Sequence, residues 1–278
     1  MDHDLIIIGG GAGGLGALRA ALWSKVDVLM INDGPPGGDC TFTGCVPSKT
    51  LLSSARNGAS FGEAMTRVRA TIERIAATES AEVLTEHGAS FIKDRARLVT
   101  RDTVAVGERR ITAPRIIVAT GGRPSVPPIP GLAETPHHTN ETIFSLAHQP
   151  RRLGVIGGGT IGCEMAEAFA MLGTEVVLVE RAERLLPQEE AEASAIVEAS
   201  LSARGVTVIT GTGIEAVGRS PGGVELRLAG RTIEVDKVLL AAGRTPNTEG
   251  LGLDELGASF DADGHVETDA RLRTAIPG

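Results

Sequence analysis

Short apolar runs alternate with amphipathic stretches along this chain, which is the pattern of an α/β fold. Leu5–Ile8 is a run of four large apolar residues. A helical stretch follows, with apolar residues at helical spacing from Leu15 to Leu22, and a second apolar run then spans Val26–Ile31. A short apolar run is typical of a buried strand, and a spacing of three to four residues is typical of one helix face. These residues therefore predict a strand, a helix and a second strand.

The same pattern returns later in the chain. Leu153–Ile156 is again a short apolar run, a helical stretch continues through Phe169 and Leu172, and Val176–Val179 is a second apolar run. Self-similarity at a fixed offset indicates a repeated structural unit. The sequence therefore predicts two strand–helix–strand units built in the same way.

Each first strand leads into a Gly-x-Gly-x-x-Gly motif, and the second motif stands 148 positions after the first. The glycines are Gly9, Gly11 and Gly14, and Gly157, Gly159 and Gly162. In this motif the first glycine permits the turn, the second lets a pyrophosphate approach the backbone, and the third lets helix and strand pack closely. A polar residue follows each second strand, Asn32 and Glu180. The spacing predicts two dinucleotide sites; the alternative is two glycine turns in an ordinary α/β sheet.

The remaining pattern completes a prediction of two Rossmann-like three-layer α/β domains in tandem. Residues 61–84 predict one long amphipathic helix. Further predicted elements are strands at 90–92, 103–106, 115–119 and 237–241, a hairpin of 225–228 with 232–235 around Gly230, and a stiff proline-rich connector at 124–130. The predicted domains are residues 1–150 for the first copy and residues 151–264 for the second.

Composition excludes several partners. The chain has 278 residues, 42% of them hydrophobic, a net charge of −8 and only 3% aromatic residues. An acidic chain without a basic run or aromatic platforms is not suited to bind nucleic acid or an anionic membrane. Because the first strand follows Met1-Asp2-His3-Asp4 directly and no run of 18 apolar residues occurs, we expect neither a signal peptide nor a membrane-spanning helix. We therefore expect a cytoplasmic protein that binds neither nucleic acid nor membrane.

Two of the three cysteines, Cys40 and Cys45, lie between the two glycine motifs, with four residues between them. Pro47 fits the first turn of a helix, so Cys45 is expected at a helix N-terminus, where the dipole favours a thiolate, with Lys49 on the same face. This segment predicts a reversible dithiol/disulfide pair. The alternatives are a zinc site, a structural disulfide and two unrelated buried thiols. Cys163, inside the second glycine helix, is interpreted as a packing residue.

The residues Gly37–Lys49, with the two glycine motifs, resemble the flavin-dependent pyridine nucleotide–disulfide oxidoreductases. That family includes dihydrolipoamide dehydrogenase, glutathione reductase and mercuric reductase. Thr120-Gly121 and the segment from Ala242 to Asn247 match two further family motifs. The resemblance covers nearly the whole chain, and its motifs are specific in combination.

The resemblance implies a role for each matching residue. The first glycine motif would hold FAD and the second NAD(P)H. Cys45 matches the sulfur that faces the flavin, Cys40 the sulfur that exchanges with substrate, Lys49 the lysine near the flavin, and Glu164 its carboxylate partner. Further implied cofactor-binding residues are Asn32, Asp33, Gly38, Thr120, Gly121, Glu180 and Gly243. No metal ligand is implied.

Several positions depart from the family pattern. Asn32, followed by Asp33, stands where the FAD ribose usually meets a glutamate. Thr160 stands where glutathione reductases carry an aromatic gate. Glu180 suits the ribose hydroxyl of NAD and repels a 2′-phosphate, although Arg181 and Arg184 follow it. We therefore expect NAD in preference to NADP.

The family also implies more chain than is present here. Residues 265–278 match the start of a return segment to the FAD domain, so the remainder and the dimerisation domain, with its His–Glu acid/base pair, are expected to be absent. A full-length member is expected to be a homodimer acting on a small-molecule disulfide or dithiol. The implied function is FAD-dependent NAD(P)H:disulfide oxidoreduction, dihydrolipoamide dehydrogenase-like. The alternatives are a mercuric-reductase-like Hg(II) reductase and a non-catalytic cofactor-binding fragment.

Overall fold

The computed structural model describes residues 1–277. Its strands are β1 (Leu5–Ile8), β2 (Val28–Asn32), β3 (Ser90–Lys93), β4 (Arg97–Thr100), β5 (Thr103–Val106), β6 (Arg109–Thr112), β7 (Ile116–Val118), β8 (Gly122–Pro124), β9 (Arg152–Ile156), β10 (Glu175–Val179), β11 (Thr207–Ile209), β12 (Ala216–Ser220), β13 (Gly223–Leu228), β14 (Arg231–Val235), β15 (Lys237–Leu240) and β16 (Arg244–Pro246). Its α-helices are α1 (Ala12–Trp23), α2 (Gly38–Phe42), α3 (Cys45–Arg56), α4 (Phe61–Thr78), α5 (Ala81–Glu86), α6 (Thr160–Met171) and α7 (Ala191–Ala203). Within this described part, none of the helices has the length and apolar surface that a bilayer crossing requires.

The chain forms two compact units that interleave along the sequence. The first contains Met1–Phe42, Glu73–Arg123 and the chain from Thr245 onward. The second contains Thr43–Ile72 and Pro124–Arg244. The domain boundaries expected at residues 150 and 264 stay a prediction, and Gly278, at the end of the expected return segment, lies outside the described residues.

The first unit is built on a parallel sheet with strand order β3-β2-β1-β7. Because successive side chains of a strand point to opposite faces of the sheet, each strand contributes side chains to two hydrophobic cores. Ile7 and Met30 pack with Leu18 of α1 on one face. Ile6 packs with Val104 of β5 on the other, where β4, β5 and β6 form an antiparallel sheet. The unit thus has three layers: helix, parallel sheet and antiparallel sheet.

The second unit repeats this construction, with a parallel sheet of order β11-β10-β9-β15. Leu178 packs with Phe169 of α6 on one face, and Val177 packs with Leu226 of β13 on the other. Gly154 lies on this second face, where an added Cβ would be 2.9 Å from Leu226 Cδ1. The matched order and layers confirm the predicted fold class of two Rossmann-like α/β domains.

The single helix expected over residues 61–84 is wrong: it is two helices, α4 and α5. The break falls at Glu79 and Ser80, which lie between them. Ser80 is the N-cap of α5, and its hydroxyl oxygen accepts a hydrogen bond from the Val83 N–H at 3.4 Å. A serine that bonds a backbone N–H three residues ahead starts a new helix, because it satisfies a donor left without an intrahelical partner.

The predicted hairpin is confirmed and is larger than expected. β13 pairs antiparallel with β14 around Gly230, which has a positive φ of 72°, and β12 adds a third strand. Helices α2 and α7 were not predicted from the sequence. The first has five residues and the second carries few large apolar side chains, so neither gives a clear periodic signal.

His138 lies at the edge of the second unit's parallel sheet. Its N–H donates to the Val238 carbonyl oxygen and its own carbonyl accepts from the Leu240 N–H, both at 2.7 Å. The ring Nδ1 is buried and has no hydrogen-bond partner among the described residues. Burial, and next the charge of Lys237, lower the pKa of His138 below its ordinary value of 6.5.

We expect the stability of this unit to fall as pH decreases below 6.5. The unfolded chain takes up the His138 proton at a higher pH than the folded chain does, so the stability present above pH 6.5 is lost as pH falls toward the lower folded pKa. Urea unfolding measured from pH 8 to pH 5 tests this, and His138→Gln is expected to flatten the dependence. His148→Gln, at an exposed position, is the control and should leave it unchanged; an unaltered slope in His138→Gln would contradict the expectation.

Candidate active site and nucleotide sites

The first glycine turn is closed by backbone contacts that admit no side chain. Gly9 has a φ of 107°, and a Cβ there would lie 2.3 Å from the Ala119 carbonyl oxygen. A Cβ at Gly14 would lie 1.8 Å from the Gly9 carbonyl oxygen. The middle residue differs: at Gly11, the N-cap of α1, the nearest atom to an added Cβ is Gly38 Cα at 3.9 Å. An added Cβ at Gly11 would thus make only an ordinary van der Waals contact, and Gly11 lies at the N-terminus of a helix.

The second turn has the same geometry. Gly157 has a φ of 111°, and its Cβ would lie 2.4 Å from the Ala241 carbonyl oxygen. A Cβ at Gly162 would lie 1.9 Å from the Gly157 carbonyl oxygen, whereas one at Gly159, the N-cap of α6, would meet no atom within 4 Å. Helix N-termini favour anions because their first N–H groups lack intrahelical partners. Both turns thus fit a pyrophosphate beside the middle glycine.

The polar residue after each second strand binds the adjacent turn. The Gly10 N–H donates to Asn32 Oδ1 at 2.8 Å, and the Gly158 N–H donates to Glu180 Oε2 at 2.6 Å. Asn32 Nδ2 also donates to the Gly34 carbonyl oxygen at 2.9 Å. Asn32 therefore performs in the first copy the turn-binding role that Glu180 performs in the second. Its neighbour Asp33 is exposed and pairs with Arg95.

Of the predicted cofactor-binding residues, Gly157, Gly159, Glu180 and Gly243 line one cavity of the second unit, with a volume of about 710 Å³. Its lining also includes Thr160 and Arg181. That volume is within the ~300–1,000 Å³ range of cofactor and ligand clefts. The cavity combines the N-terminus of α6 with a carboxylate at the strand end, which suits an adenosine ribose and its phosphates.

Two short helices carry the two cysteines of the predicted redox segment. Cys40 lies in α2, and Cys45 is the first residue of α3, as the sequence predicts. Gly44, before Cys45, is the N-cap of α3. Cys40 is half-buried and Cys45 is exposed. Cys45 thus lies at the N-terminal end of a twelve-residue helix, beside backbone N–H groups that have no intrahelical partner.

An ion pair joins α3 to α6 within the second unit. Lys49 Nζ lies 3.0 Å from Glu164 Oε1 and 3.3 Å from its Oε2, and the Ser48 hydroxyl donates to Glu164 Oε1 at 3.0 Å. This is the pairing of Lys49 and Glu164 that the resemblance implies. An exposed ion pair contributes about 0–1 kcal/mol to stability, so its main effect is to orient the two side chains.

Thr120 is hydrogen-bonded to Asn247, which was not predicted to be a site residue. Its hydroxyl donates to the Asn247 carbonyl oxygen at 2.7 Å, and Asn247 Nδ2 donates to the Thr120 carbonyl oxygen at 3.0 Å. The Asn247 N–H also donates to the Gly121 carbonyl oxygen at 2.9 Å. Asn247 therefore holds the turn at Thr120-Gly121. Both motifs are visible in the sequence, but 127 residues separate Thr120 from Asn247, so only the fold pairs them.

Cys163 differs from the other two cysteines. It is buried in α6, and its thiol donates to the Gly158 carbonyl oxygen at 3.4 Å. Burial, and next the charge of Glu180, raise the pKa of Cys163 to about 11. Because the thiolate is the reactive form, this residue is inert at neutral pH, in agreement with its interpretation as a packing residue.

The chain belongs to the pyridine nucleotide-disulphide oxidoreductase family, which its sequence matches over residues 3–278. It is 33% identical to a mercuric reductase of Staphylococcus aureus, over 99% of this chain and 54% of that protein. It is 32% identical to a glutathione reductase of Burkholderia cepacia, over 100% of this chain and 65% of that protein. It is 33% identical to a dihydrolipoamide dehydrogenase of Chaetomium thermophilum, over 99% of this chain and 61% of that protein.

A solved structure has the same fold. The HOCl-induced flavoprotein disulfide reductase RclA of Escherichia coli superposes with a TM-score of 0.91 at 28% identity, covering 99% of this chain and 64% of that one. This chain therefore spans between about half and two thirds of these relatives. Family membership confirms the resemblance drawn from the cysteine segment and the two glycine motifs.

Alanine substitutions in the second turn are expected to separate the glycines that close the turn from the one beside open space. Gly162→Ala should destabilise the protein by several kcal/mol, because its Cβ would clash with backbone that cannot relax cheaply. Gly159→Ala should cost at most about 1 kcal/mol, the usual difference between glycine and alanine at an N-cap, since its φ is −74° and no atom of the described residues lies within 4 Å of the new methyl. Urea denaturation measures both, and equal effects would contradict this assignment.

Proposed function

We propose that this chain carries the FAD and NAD(P)H sites and the redox dithiol of a flavoprotein disulfide oxidoreductase of the dihydrolipoamide dehydrogenase type. The observation that carries the proposal is the twofold occurrence of a glycine turn that admits no side chain at its first and third glycines and whose middle glycine, Gly11 or Gly159, caps a helix. Gly38, in the helix that bears Cys40, packs directly against Gly11. The first turn thus supports both a pyrophosphate and a reactive thiol.

Different residues of the chain would bind the two cofactors. The turn at Gly9–Gly14, with Asn32 and the Thr120-Gly121 turn, would hold FAD. The cavity at Gly157–Gly162, with Glu180 and Gly243, would hold the nicotinamide nucleotide. When bound, FAD supplies two-electron chemistry between the nicotinamide and the cysteine pair. Lys49, oriented by Glu164, places a positive charge beside the segment that begins at Cys45.

The cysteines perform the exchange with substrate. The Cys40 thiolate attacks one sulfur of a small-molecule disulfide, forming a mixed disulfide and releasing one thiol. The Cys45 thiolate then attacks the Cys40 sulfur, which releases the second thiol and closes a Cys40–Cys45 disulfide. Substrate gains two electrons and two protons, and the cysteine pair loses them; NAD(P)H is the source that restores the dithiol. Some family members run in the opposite direction.

NAD is the nicotinamide cofactor that the second unit supports best. Glu180 accepts from the Gly158 N–H and from the Ala182 N–H at 2.7 Å, which fixes its carboxylate at the end of β10. Arg184 already donates to the Leu186 and Pro187 carbonyl oxygens. A fixed carboxylate accepts a ribose hydroxyl and repels a 2′-phosphate, and Arg184 has less capacity to neutralise that phosphate.

A mercuric-reductase-like activity is the second candidate, because the chain is 33% identical to a mercuric reductase. Two thiolates are suitable ligands for a soft metal ion as substrate. A cofactor-binding fragment without turnover is the third. Turnover of lipoamide, low-molecular-weight disulfides and Hg(II) by the full-length protein distinguishes the first two candidate functions.

A homodimer is proposed for that full-length protein.

The dithiol proposal predicts a spectroscopic signature. After two-electron reduction, the FAD-loaded chain should show a long-wavelength charge-transfer band, because a thiolate at position 45 would lie against the flavin. Cys45→Ser should abolish the band, whereas Cys163→Ala, which removes the inert thiol, should keep it. A flavin spectrum without the band in the unsubstituted chain would contradict the role of Cys45. Failure to bind added FAD would contradict the first nucleotide site.

Nucleotide preference is testable by calorimetric titration of the chain with NADH and NADPH. We expect NADH to bind about tenfold more tightly, an order of magnitude that one repelled charge accounts for. Arg181→Ala should leave NADH affinity unchanged, since this side chain is exposed and a 2′-phosphate is the group that it would bind. Tighter binding of NADPH, weakened by Arg181→Ala, would reverse the assignment.

A further inference from the structure

Helix α2, which carries Cys40, is anchored at its start to the first glycine turn. The Gly37 N–H donates to the Gly10 carbonyl oxygen at 2.8 Å. Gly38 has a φ of 56°, and a Cβ there would lie 2.6 Å from Gly11 Cα, so the two backbones are in direct contact. A helix of only five residues is not stable by itself. Its orientation therefore depends on such contacts with the rest of the first unit.

A second anchor holds the other side of Cys40. Thr41 is only 3% exposed, and its hydroxyl donates to Glu79 Oε2 at 2.7 Å. Glu79, just beyond α4, has a side chain that is 15% exposed, and its Oε1 lies 3.7 Å from Arg19 of α1. Gly37 makes room for this contact, because a Cβ there would lie 2.9 Å from Thr41 Cβ. The bond thus connects the redox helix to a nearly buried carboxylate.

The chemistry of this bond makes it specific. A buried hydroxyl must find an acceptor, since an unsatisfied donor costs about 1–3 kcal/mol. A carboxylate acceptor makes a shorter and stronger bond than a neutral one. Thr41 follows Cys40 directly in the chain, so a bond that fixes Thr41 also fixes the backbone from which the Cys40 sulfur projects.

We propose that Glu79 is a positioning residue for the redox pair: by accepting the Thr41 hydroxyl, it holds α2 so that the Cys40 sulfur is oriented for thiol–disulfide exchange. This inference rests on the proposed function of Cys40 and Cys45. Its consequence concerns the equilibrium between dithiol and disulfide. A fixed Cys40 has a higher effective concentration toward its partner thiol than a mobile one, which favours the closed disulfide.

The test measures that equilibrium in the whole chain. The protein is incubated with mixtures of oxidised and reduced dithiothreitol; formation of the Cys40–Cys45 disulfide releases two electrons and two protons to the oxidised reagent, which becomes the dithiol. Acid quenching, alkylation and mass spectrometry give the fraction closed. Thr41→Val and Glu79→Ala are each expected to lower the equilibrium constant about threefold to tenfold, the range that corresponds to one hydrogen bond.

Conservative variants separate positioning from general destabilisation. Thr41→Ser keeps the hydroxyl and Glu79→Gln keeps an accepting oxygen, so both should stay close to the unsubstituted value. Arg19→Ala removes the ion pair but not the hydrogen bond and should also stay close. Glu73→Ala, at an exposed position on α4, is the matched control. Thermal unfolding of each variant shows whether the losses in fold stability rank the variants in the same order as their disulfide equilibrium constants do.

The outcomes are distinct. If the unsubstituted chain forms no Cys40–Cys45 disulfide in oxidising buffer, the proposed function fails. If it forms one and Thr41→Val and Glu79→Ala close it equally well, the positioning role of Glu79 fails. The role also fails if Glu79→Gln behaves as Glu79→Ala does. Should Thr41→Val not fold, Glu79→Ala against Glu79→Gln decides the question alone.

Discussion

The contact on which both proposed nucleotide sites depend is the approach of a helix backbone to the carbonyl oxygen at the start of its own turn. Gly14 meets Gly9 in this way, and Gly162 meets Gly157, each so closely that one methyl group would separate helix from strand. The contact brings the N-termini of α1 and α6 to the carboxyl ends of β1 and β9. Free N–H groups and a favourable dipole are therefore available at the point where a parallel sheet presents its loops.

The redox segment extends the first of these turns. Gly37 is hydrogen-bonded to Gly10 and Gly38 packs against Gly11, so the helix that carries Cys40 begins in contact with the first glycine turn. The second turn has no such extension: an added Cβ at Gly159 would meet nothing, and the surrounding cavity stays open for a ligand. Two copies of one architecture thus differ in what is packed against the middle glycine. That difference suits one copy to a flavin beside thiols and the other to an exchangeable nucleotide.

Much of this was predictable, because local patterns encode it. The strands at Leu5–Ile8 and Val176–Val179, the two glycine motifs and the helix that begins at Cys45 all follow from short stretches of sequence. What the sequence did not reveal depends on distant contacts or on competition within a segment. Ser80 divides an otherwise continuous helical pattern because its hydroxyl bonds the backbone ahead. The hydrogen bond between Thr41 and Glu79 joins residues 38 positions apart, and the hydrophobic periodicity of the sequence does not predict it.

The two units interleave along the sequence, and the family resemblance implied one part of this, a return of residues 265–278 to the first domain. A repeat locates the start of each copy, but not which later segments return to the earlier sheet. β7 pairs with β1 in the parallel sheet of the first unit, although β2 to β6 lie between them along the chain. The segment after Thr245 also packs with the first unit, as the hydrogen bond from the Leu98 N–H to the Leu251 carbonyl oxygen shows.

The buried thiol of Cys163 gives the protein a built-in chemical selectivity. With its pKa raised to about 11, it stays protonated under physiological conditions and is shielded from peroxides and alkylating agents. Oxidants and electrophiles therefore reach the less buried sulfurs of Cys40 and Cys45 first, and the helix at the second glycine turn is spared an irreversible modification.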